Sequence, residues 1–128
     1  MSKRVVLVGH CGPDSSYLRM TVSRVSREIS VTMVDDDGDL QKSIAEGAEL
    51  LLINRQLDYG FQESEGVQMI ARLHGEHPNL KMMLISNFPE SQAEALTAGA
   101  MPGFGKRELG SERVASLIRE ALAMEVVK

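Results

Sequence analysis

The chain has 128 residues, 43% of them apolar and 25% charged, which fits one globular domain with an ordinary hydrophobic core. We predict a single domain over residues 1–128, with its core at about residues 4–123. The net charge of −4 is spread along the chain, which argues against nucleic acid or a membrane as partner. The single cysteine, Cys11, excludes an intrachain disulfide and fits a reducing, cytoplasmic compartment.

Five short apolar runs have the composition of β-strands. The predicted strands cover residues 4–9, 31–34, 49–54, 80–85 and 101–104. The third run is apolar without interruption from residue 50 to residue 53, as in a strand buried on both faces of a parallel sheet. Pro102 in the fifth run places that strand at an edge, because proline cannot donate to a neighbouring strand.

Five helices are predicted between and after these strands. The first follows Pro13 and has its apolar face at residues 18, 22, 25 and 29. The second has Asp39 as N-cap and stops at Gly47, and the third carries apolar residues at 67, 70 and 73. The fourth spans residues 89–98, and the fifth is capped by Ser111. Strictly alternating strands and helices predict an α/β fold, a doubly wound three-layer α/β/α sandwich with a parallel sheet.

Polar residues stand where three of the predicted strands end. Asn54 ends the third strand, His10 and Cys11 follow the first, and Ser86 follows the fourth. The carboxyl ends of parallel strands meet at one edge of the sheet, where ligands bind in this class of fold. We therefore expect these residues at one functional edge, with residues 55–65 as a mobile loop over it.

The ordered set of motifs resembles the receiver domain of response regulators, over residues 4–123. The run that ends at Asn54 is similar to the strand that carries the family's phospho-accepting aspartate. Ser86 matches the hydroxyl residue that binds the phosphoryl group, and Gly66 matches the glycine that opens the third helix. The segment 98–100 followed by Lys106 matches the family's Ala-Gly-Ala motif and its phosphoryl-binding lysine. The resemblance implies a CheY-like, flavodoxin-like fold with strand order 2-1-3-4-5.

Departures from the family pattern indicate a degenerate receiver, or pseudo-receiver. Asn54 stands in place of the aspartate, and an amide cannot attack a phosphoryl group as a carboxylate does. His10 and Cys11 replace the acidic pair that holds Mg²⁺ in the family, so we expect no metal and no cofactor. The position of the family's aromatic switch residue is Gly103, and the usual proline after the lysine is Arg107.

The resemblance implies a stand-alone signalling module of a two-component or phosphorelay system that is not an enzyme. It would signal through protein–protein contacts, with a histidine kinase, a downstream effector or a second copy as partner. The family's interaction surface falls here on residues 89–98, 101–105 and 110–124. We expect no nucleic acid and no membrane among the partners.

The sequence also allows several alternatives to a pseudo-receiver. A true phosphorelay receiver could use another acid, Asp58 or Asp36, and Asp35–Asp37 could rebuild a cation site, although aspartates before a glycine favour a turn. Lys106, Ser86 and the helix N-terminus after Pro13 could hold a phosphate or sulfate ion without a covalent bond.

Two further alternatives concern different chemistry. His10 and Cys11 could bind a soft metal or form a thiol enzyme, but neighbouring strand residues face opposite sides. The chain is poor in aromatic residues, with three Phe, two Tyr and no Trp, and it has no glycine-rich phosphate loop. Both features argue against a flavin or nucleotide site.

Overall fold

A computed structural model describes residues 3–123 as a five-stranded parallel sheet with helices on both faces. The strands are β1 (Lys3–Val8), β2 (Ile29–Val34), β3 (Leu50–Asn54), β4 (Lys81–Ile85) and β5 (Met101–Phe104). The helices are α1 (Gly12–Val25), α2 (Asp37–Ala45), α3 (Gly66–Glu76), α4 (Pro89–Ala98) and α5 (Glu112–Ala121). A short 3₁₀ turn, Lys106–Glu108, which the sequence pattern did not predict, links β5 to α5. The strand order β2-β1-β3-β4-β5 confirms the predicted α/β sandwich and the edge position of β5.

Strand β3 lies in the centre of the sheet and is buried on both of its faces. Residues 50–53 have no exposed surface, and their side chains alternate between two hydrophobic clusters. Leu50 and Leu52 pack in the cluster that includes α1 and α5, whereas Leu51 and Ile53 pack in the cluster that includes α2, α3 and α4. Burial of each such side chain stabilises the fold by about 2 kcal/mol, so this strand fixes the position of the functional edge.

Two predicted element boundaries were wrong. Ile29 belongs to β2 and not to the face of α1, because Ser26 is extended (φ −165°, ψ 147°) and ends the helix at Val25. Ile29 fitted the helical spacing because it is buried in the same hydrophobic cluster as α1. The N-cap of α2 is Asp36 and not Asp39, since an Asp36 carboxylate oxygen accepts from the backbone N–H of Asp39 at 2.7 Å.

The remaining predicted helix ends are confirmed. Gly47 has a positive φ of 101° directly after α2, and Gly99, with φ 119°, ends α4. The hydroxyl of Ser111 accepts from the backbone N–H of Val114, which caps α5. None of the helices within residues 3–123 has the length and apolar character needed to span a membrane.

The connection 55–65 is anchored by apolar and ionic contacts that its polar composition did not predict. Leu57 and Phe61 are buried in the cluster on the α2–α4 side of the sheet. The Arg72 guanidinium of α3 donates to Glu63 in the connection and, at 3.0 Å, to Asp37 of α2. The connection is thereby tied to two helices, and its predicted mobility stays a prediction.

Gly66 supplies a test of how tightly α3 packs against the end of β3. A Cβ atom at Gly66 would lie 2.2 Å from the backbone oxygen of Asn54, whereas Gly75 of the same helix has no neighbouring atom within 4 Å of such a Cβ. We expect Gly66→Ala to lower the free energy of unfolding by about 2 kcal/mol or more. Chemical denaturation measures this change.

The matched control is Gly75→Ala, which we expect to stabilise the protein slightly, by about 0.5 kcal/mol, because alanine favours the helix. A Gly66→Ala variant as stable as the natural protein would contradict this packing.

Candidate functional site

The carboxyl edge of the sheet contains a cavity of about 190 Å³ beside the end of β3. Asn54 and Ser86, two of the four residues expected at one edge, line it together with Lys106, which the resemblance assigned to the same site. The other lining residues are Arg55, Gln56, Ile85, Asn87 and Phe88. His10 and Cys11 do not line this cavity, and neither do the alternative acids Asp35, Asp36 and Asp58.

The side-chain amide of Asn54 is held by two backbone carbonyl groups. Its Nδ2 donates to the oxygen of Gly9 at 3.1 Å and to the oxygen of Gln56 at 3.0 Å. These two acceptors fix the orientation of the amide, since a nitrogen can donate to both and an oxygen cannot. A carboxylate at this position would lose both hydrogen bonds and face two carbonyl oxygens.

The imidazole of His10 is buried and turned towards the sheet. Its Nε2 lies 2.9 Å from the backbone oxygen of Leu52, so Nε2 donates and Nδ1 is the unprotonated nitrogen. Nδ1 is buried and has no hydrogen-bond partner among the described residues. Burial lowers the pKa of His10, because a charged ring would lose its hydration, and the positive charge of Lys106 acts in the same direction.

Cys11 is the N-cap residue of α1 and is exposed, whereas His10 beside it is buried against Leu52. With the two side chains in such different surroundings, they do not form the nucleophile and base of a thiol enzyme. The soft-metal alternative for His10 and Cys11 also lacks support in the described region. Within residues 3–123, no three His, Cys, Asp or Glu side chains are grouped so as to hold a metal ion.

Lys106 forms an ion pair with Asp14, a residue that the sequence interpretation did not single out. The Lys106 Nζ lies 2.5 Å from an Asp14 carboxylate oxygen, and this hydrogen bond lowers the pKa of Asp14. Asp14 stands in the first turn of α1, where an acid is favoured by the helix dipole, and that position was the available sequence signal. The carboxylate offsets the charge that the anion-site hypothesis assigns to Lys106.

Ser86 is buried, and its hydroxyl oxygen and its carbonyl oxygen both accept hydrogen bonds. Its hydroxyl accepts from the backbone N–H of Phe88 at 3.1 Å, and its carbonyl accepts from Nε2 of Gln92 at 3.0 Å. The same Nε2 lies 2.9 Å from the oxygen of Leu84 and 3.4 Å from the oxygen of Phe104. Gln92, which the sequence interpretation did not identify, therefore ties α4 to the ends of β4 and β5.

The position that resembles the aromatic switch has no space for a side chain. A Cβ atom at Gly103 would lie 2.3 Å from the oxygen of Leu84 and 2.9 Å from Oε1 of Gln92. Phe104 is fully buried in the cluster with Val114 and Ile118 of α5. The amide of Gln92 thus occupies the space next to Gly103, and Phe104 belongs to the core.

The connections that follow β4 and β5 are packed against each other. The side-chain oxygen of Asn87 accepts from the backbone N–H of Arg107 at 3.1 Å. A Cβ atom at Gly105 would lie 1.9 Å from that same oxygen, so only glycine fits there in this arrangement. Together with Gln92, this contact joins the two connections at the edge of the site.

The consecutive aspartates after β2 serve the turn and the start of α2. Asp36 caps the helix, and Asp37 accepts from the guanidinium of Arg72 at 3.0 Å and from the backbone N–H of Gln62 at 2.7 Å. Asp35 and Asp58 are exposed. These contacts support the turn interpretation of the three aspartates over a rebuilt cation site.

The residues at the edge do not fit a magnesium ion. Mg²⁺ prefers hard oxygen ligands, but the groups after β1 are an imidazole bonded to Leu52 and an exposed thiol. The nearest carboxylate after them, Asp14, is paired with Lys106. No chemical step through a metal ion can be built on this set of donors.

The buried imidazole of His10 predicts a pH-dependent stability. The unfolded chain binds a proton on this residue below its ordinary pKa of 6.5, whereas the folded chain binds it only at lower pH. The stability present above pH 6.5 is therefore lost as the pH falls from 6.5 through the lowered pKa. We expect a slope of up to about 1.4 kcal/mol per pH unit in the free energy of unfolding.

Urea denaturation between pH 8 and pH 5 measures this slope, and we expect His10→Gln to flatten it because glutamine does not titrate. The matched control is His74→Gln, an exposed histidine of α3, which should leave the slope unchanged. Equal slopes for the natural protein and His10→Gln would contradict the assignment.

Comparison with known proteins finds the same fold in receiver domains at low sequence identity. No protein-family model and no curated protein sequence matches the chain. The signal receiver domain of a DNA-binding response regulator from Colwellia psychrerythraea is similar to it with a TM-score of 0.75 and 10% identity, over 96% of this chain and 100% of that chain.

Two further receiver domains give the same result. The non-phosphorylated receiver domain of the stress response regulator RcsB from Escherichia coli has a TM-score of 0.75 and 13% identity, over 98% of this chain and 97% of that one. The receiver domain of NtrX from Brucella abortus has a TM-score of 0.70 and 20% identity, over 94% and 99% of the two chains. The chain therefore has the CheY-like fold of response-regulator receiver domains.

Proposed function

We propose that the chain is a receiver-like signalling module of a two-component or phosphorelay system that works without phosphorylation at residue 54. The observation that carries this proposal is the amide of Asn54. It lies at the end of β3, where a receiver has its phospho-accepting aspartate, and it donates to two backbone carbonyls. An amide so placed is a structural group and not a nucleophile. The module is accordingly not an enzyme.

The surroundings of Asn54 support the loss of the phosphorylation chemistry. The resemblance implies that phosphoryl transfer in receivers uses a magnesium ion and a lysine that contacts the phosphoryl oxygens. Here the donors after β1 do not suit Mg²⁺, and Lys106 is paired with Asp14. We propose that the module uses no metal and no cofactor.

Contacts between the strand ends support a module that stays in one conformation. Gln92 joins the ends of β4 and β5, and Asn87 joins the connections that follow them. The hydroxyl oxygen of Ser86 accepts from the N–H of Phe88, within the connection that follows β4. A ligand shifts a two-state equilibrium only if it binds one state better, and a phosphoryl group would find no acceptor here.

We propose that the module acts through the surface formed by residues 89–98, 101–105 and 110–124, of which residue 124 lies outside the described part. A groove of about 280 Å³ on this surface is lined by residues from α4, β5 and α5, among them Gln92, Gly103 and Arg113. Its protein partner would be a histidine kinase, a downstream effector or a second copy. The proposed compartment is the cytoplasm, in keeping with the single, exposed and unpaired Cys11.

A phosphorelay receiver that uses another acid remains the main alternative. Asp58 and Asp36 do not line the cavity with Lys106 and Ser86, and Asp36 already caps α2. A free anion bound by Lys106 would lie near the carboxylate of Asp14, whose negative charge disfavours that alternative.

The test is the response of the backbone amide NMR signals to beryllofluoride and Mg²⁺, which together imitate a phosphorylated aspartate. We expect no shift in the natural protein. Asn54→Asp is measured in parallel, and we also expect it to be less stable by about 1–3 kcal/mol, since its carboxylate faces two carbonyl oxygens.

The control for the loss of stability is Asn79→Asp, an exposed position in a turn, where we expect no significant change. Shifts at residues 54, 86 and 106 of the natural protein would show that another acid accepts the group, and the proposal would be wrong. A response shown only by Asn54→Asp would mean that the asparagine at position 54 alone prevents phosphorylation.

A further inference from the structure

Helix α1 carries an exposed apolar and basic surface that no described part of the chain covers. Tyr17 is 62% exposed and Met20 is 50% exposed, and Arg24 follows them on the same side of the helix at spacings of three and four. Residues 15–27 contain three arginines and no acid, although the whole chain has a net charge of −4. Within residues 3–123, none of these arginines forms an ion pair.

This surface, which we call the α1 face (Tyr17, Met20 and Arg24), continues into a cavity between α1 and α5. The cavity has a volume of about 160 Å³, and Thr21, Arg24, Val25, Ala115 and Arg119 are among its lining residues. Arg119 adds a positive charge beside Arg24, whereas Glu112 in the same lining adds a negative one, and the small and apolar side chains leave space for a contacting group. An acidic helix with an apolar residue among its acids would complement such a surface.

Helix α4 presents a surface of that kind. Glu90 and Glu94 are exposed on one side of the helix at a spacing of four, and the exposed Ala93 connects this side with Leu96, which is 48% exposed and lies at its border. Residues 89–98 contain no lysine and no arginine. Neither glutamate forms an ion pair within the described residues. We call these four residues the α4 face.

The α1 face and the α4 face cannot meet within one molecule. Helix α1 packs in the cluster on one side of the sheet and α4 in the cluster on the other. Two copies, however, can bring the acidic face of one against the basic face of the other. Because the two faces differ, this contact is head-to-tail. The resulting pair of molecules has a free α4 face at one end and a free α1 face at the other.

We propose that a second copy of this chain binds the α1 face through its α4 face. This inference rests on the proposed function, since a module that signals by contact needs a partner, and it names that partner. The exposed apolar side chains are few, so the contact is weak and concentration-dependent. Opposite charges set its orientation and make it sensitive to salt.

Sedimentation velocity over a range of protein concentrations tests the proposal on the full chain. We expect the average mass of the natural protein to rise with concentration, and to rise less at high salt. Arg24→Glu and Glu90→Arg should each weaken self-association about tenfold, because each places like charges in contact. An equimolar mixture of the two variants should associate again, since Glu90 of the first variant can still meet Arg24 of the second.

The matched controls are Lys42→Glu and Glu46→Arg, the same charge reversals at exposed positions in and next to α2, which should associate as the natural protein does. A natural protein that stays monomeric at all concentrations would overturn the proposal. Unchanged association of both variants, or a mixture no stronger than its components, would equally overturn it. The response to beryllofluoride is independent of these results, so failure of this inference and failure of the proposed function are distinguishable.

Discussion

The structure depends on the complete burial of β3 between two hydrophobic clusters. A strand without water on either face has to satisfy its polar groups through its neighbours, and the first polar side chain beyond the buried run is Asn54. Its amide donates to the carbonyl of Gly9, which follows β1, and to the carbonyl of Gln56, in the connection after β3. These bonds join the end of β3 to the end of β1 and to the start of that connection. The same edge of the sheet that could hold an acceptor group is thus used for internal hydrogen bonding.

The other polar groups at this edge follow the same rule. Lys106 is paired with Asp14, Ser86 bonds to its own loop, and the ring of His10 is bonded to Leu52. Several groups that would serve a ligand are thus engaged by the protein itself. Nδ1 of His10 is a buried acceptor with no partner among the described residues, and burial lowers the pKa of the ring. An edge with its groups paired in this way supports a fixed module better than a switch.

The sequence predicted the fold well because two strong patterns determine it. The uninterrupted apolar run of β3 and the helical spacing in α5 leave few alternative arrangements, and glycines with positive φ after α2 and α4 ended those helices where predicted. The boundaries that were wrong involve residues with two acceptable roles. Ile29 satisfies both a helical and a strand pattern, and any of several adjacent aspartates can cap α2.

The candidate site was predicted in position but not in its contacts. The ends of parallel strands meet at one edge, so Asn54 and Ser86 lie together, whereas His10 and Cys11, expected at the same edge, do not line the cavity. The partners of the site residues could not be inferred, because Asp14 and Gln92 lie on helices whose rotation depends on packing. Gln92 in particular looks like any exposed residue of α4, and only the glycine at position 103 leaves space for its amide.

NMR relaxation dispersion of the backbone amides can show whether this edge of the sheet has a single conformation. This method detects minor states that exchange on the microsecond-to-millisecond timescale. We expect no exchange at residues 86–92 and 103–108 in the natural protein, and exchange in the same segments after Gln92→Ala. Exchange already present in the natural protein at these residues would show a second populated conformation, and the edge would then be a switch and not a fixed structure.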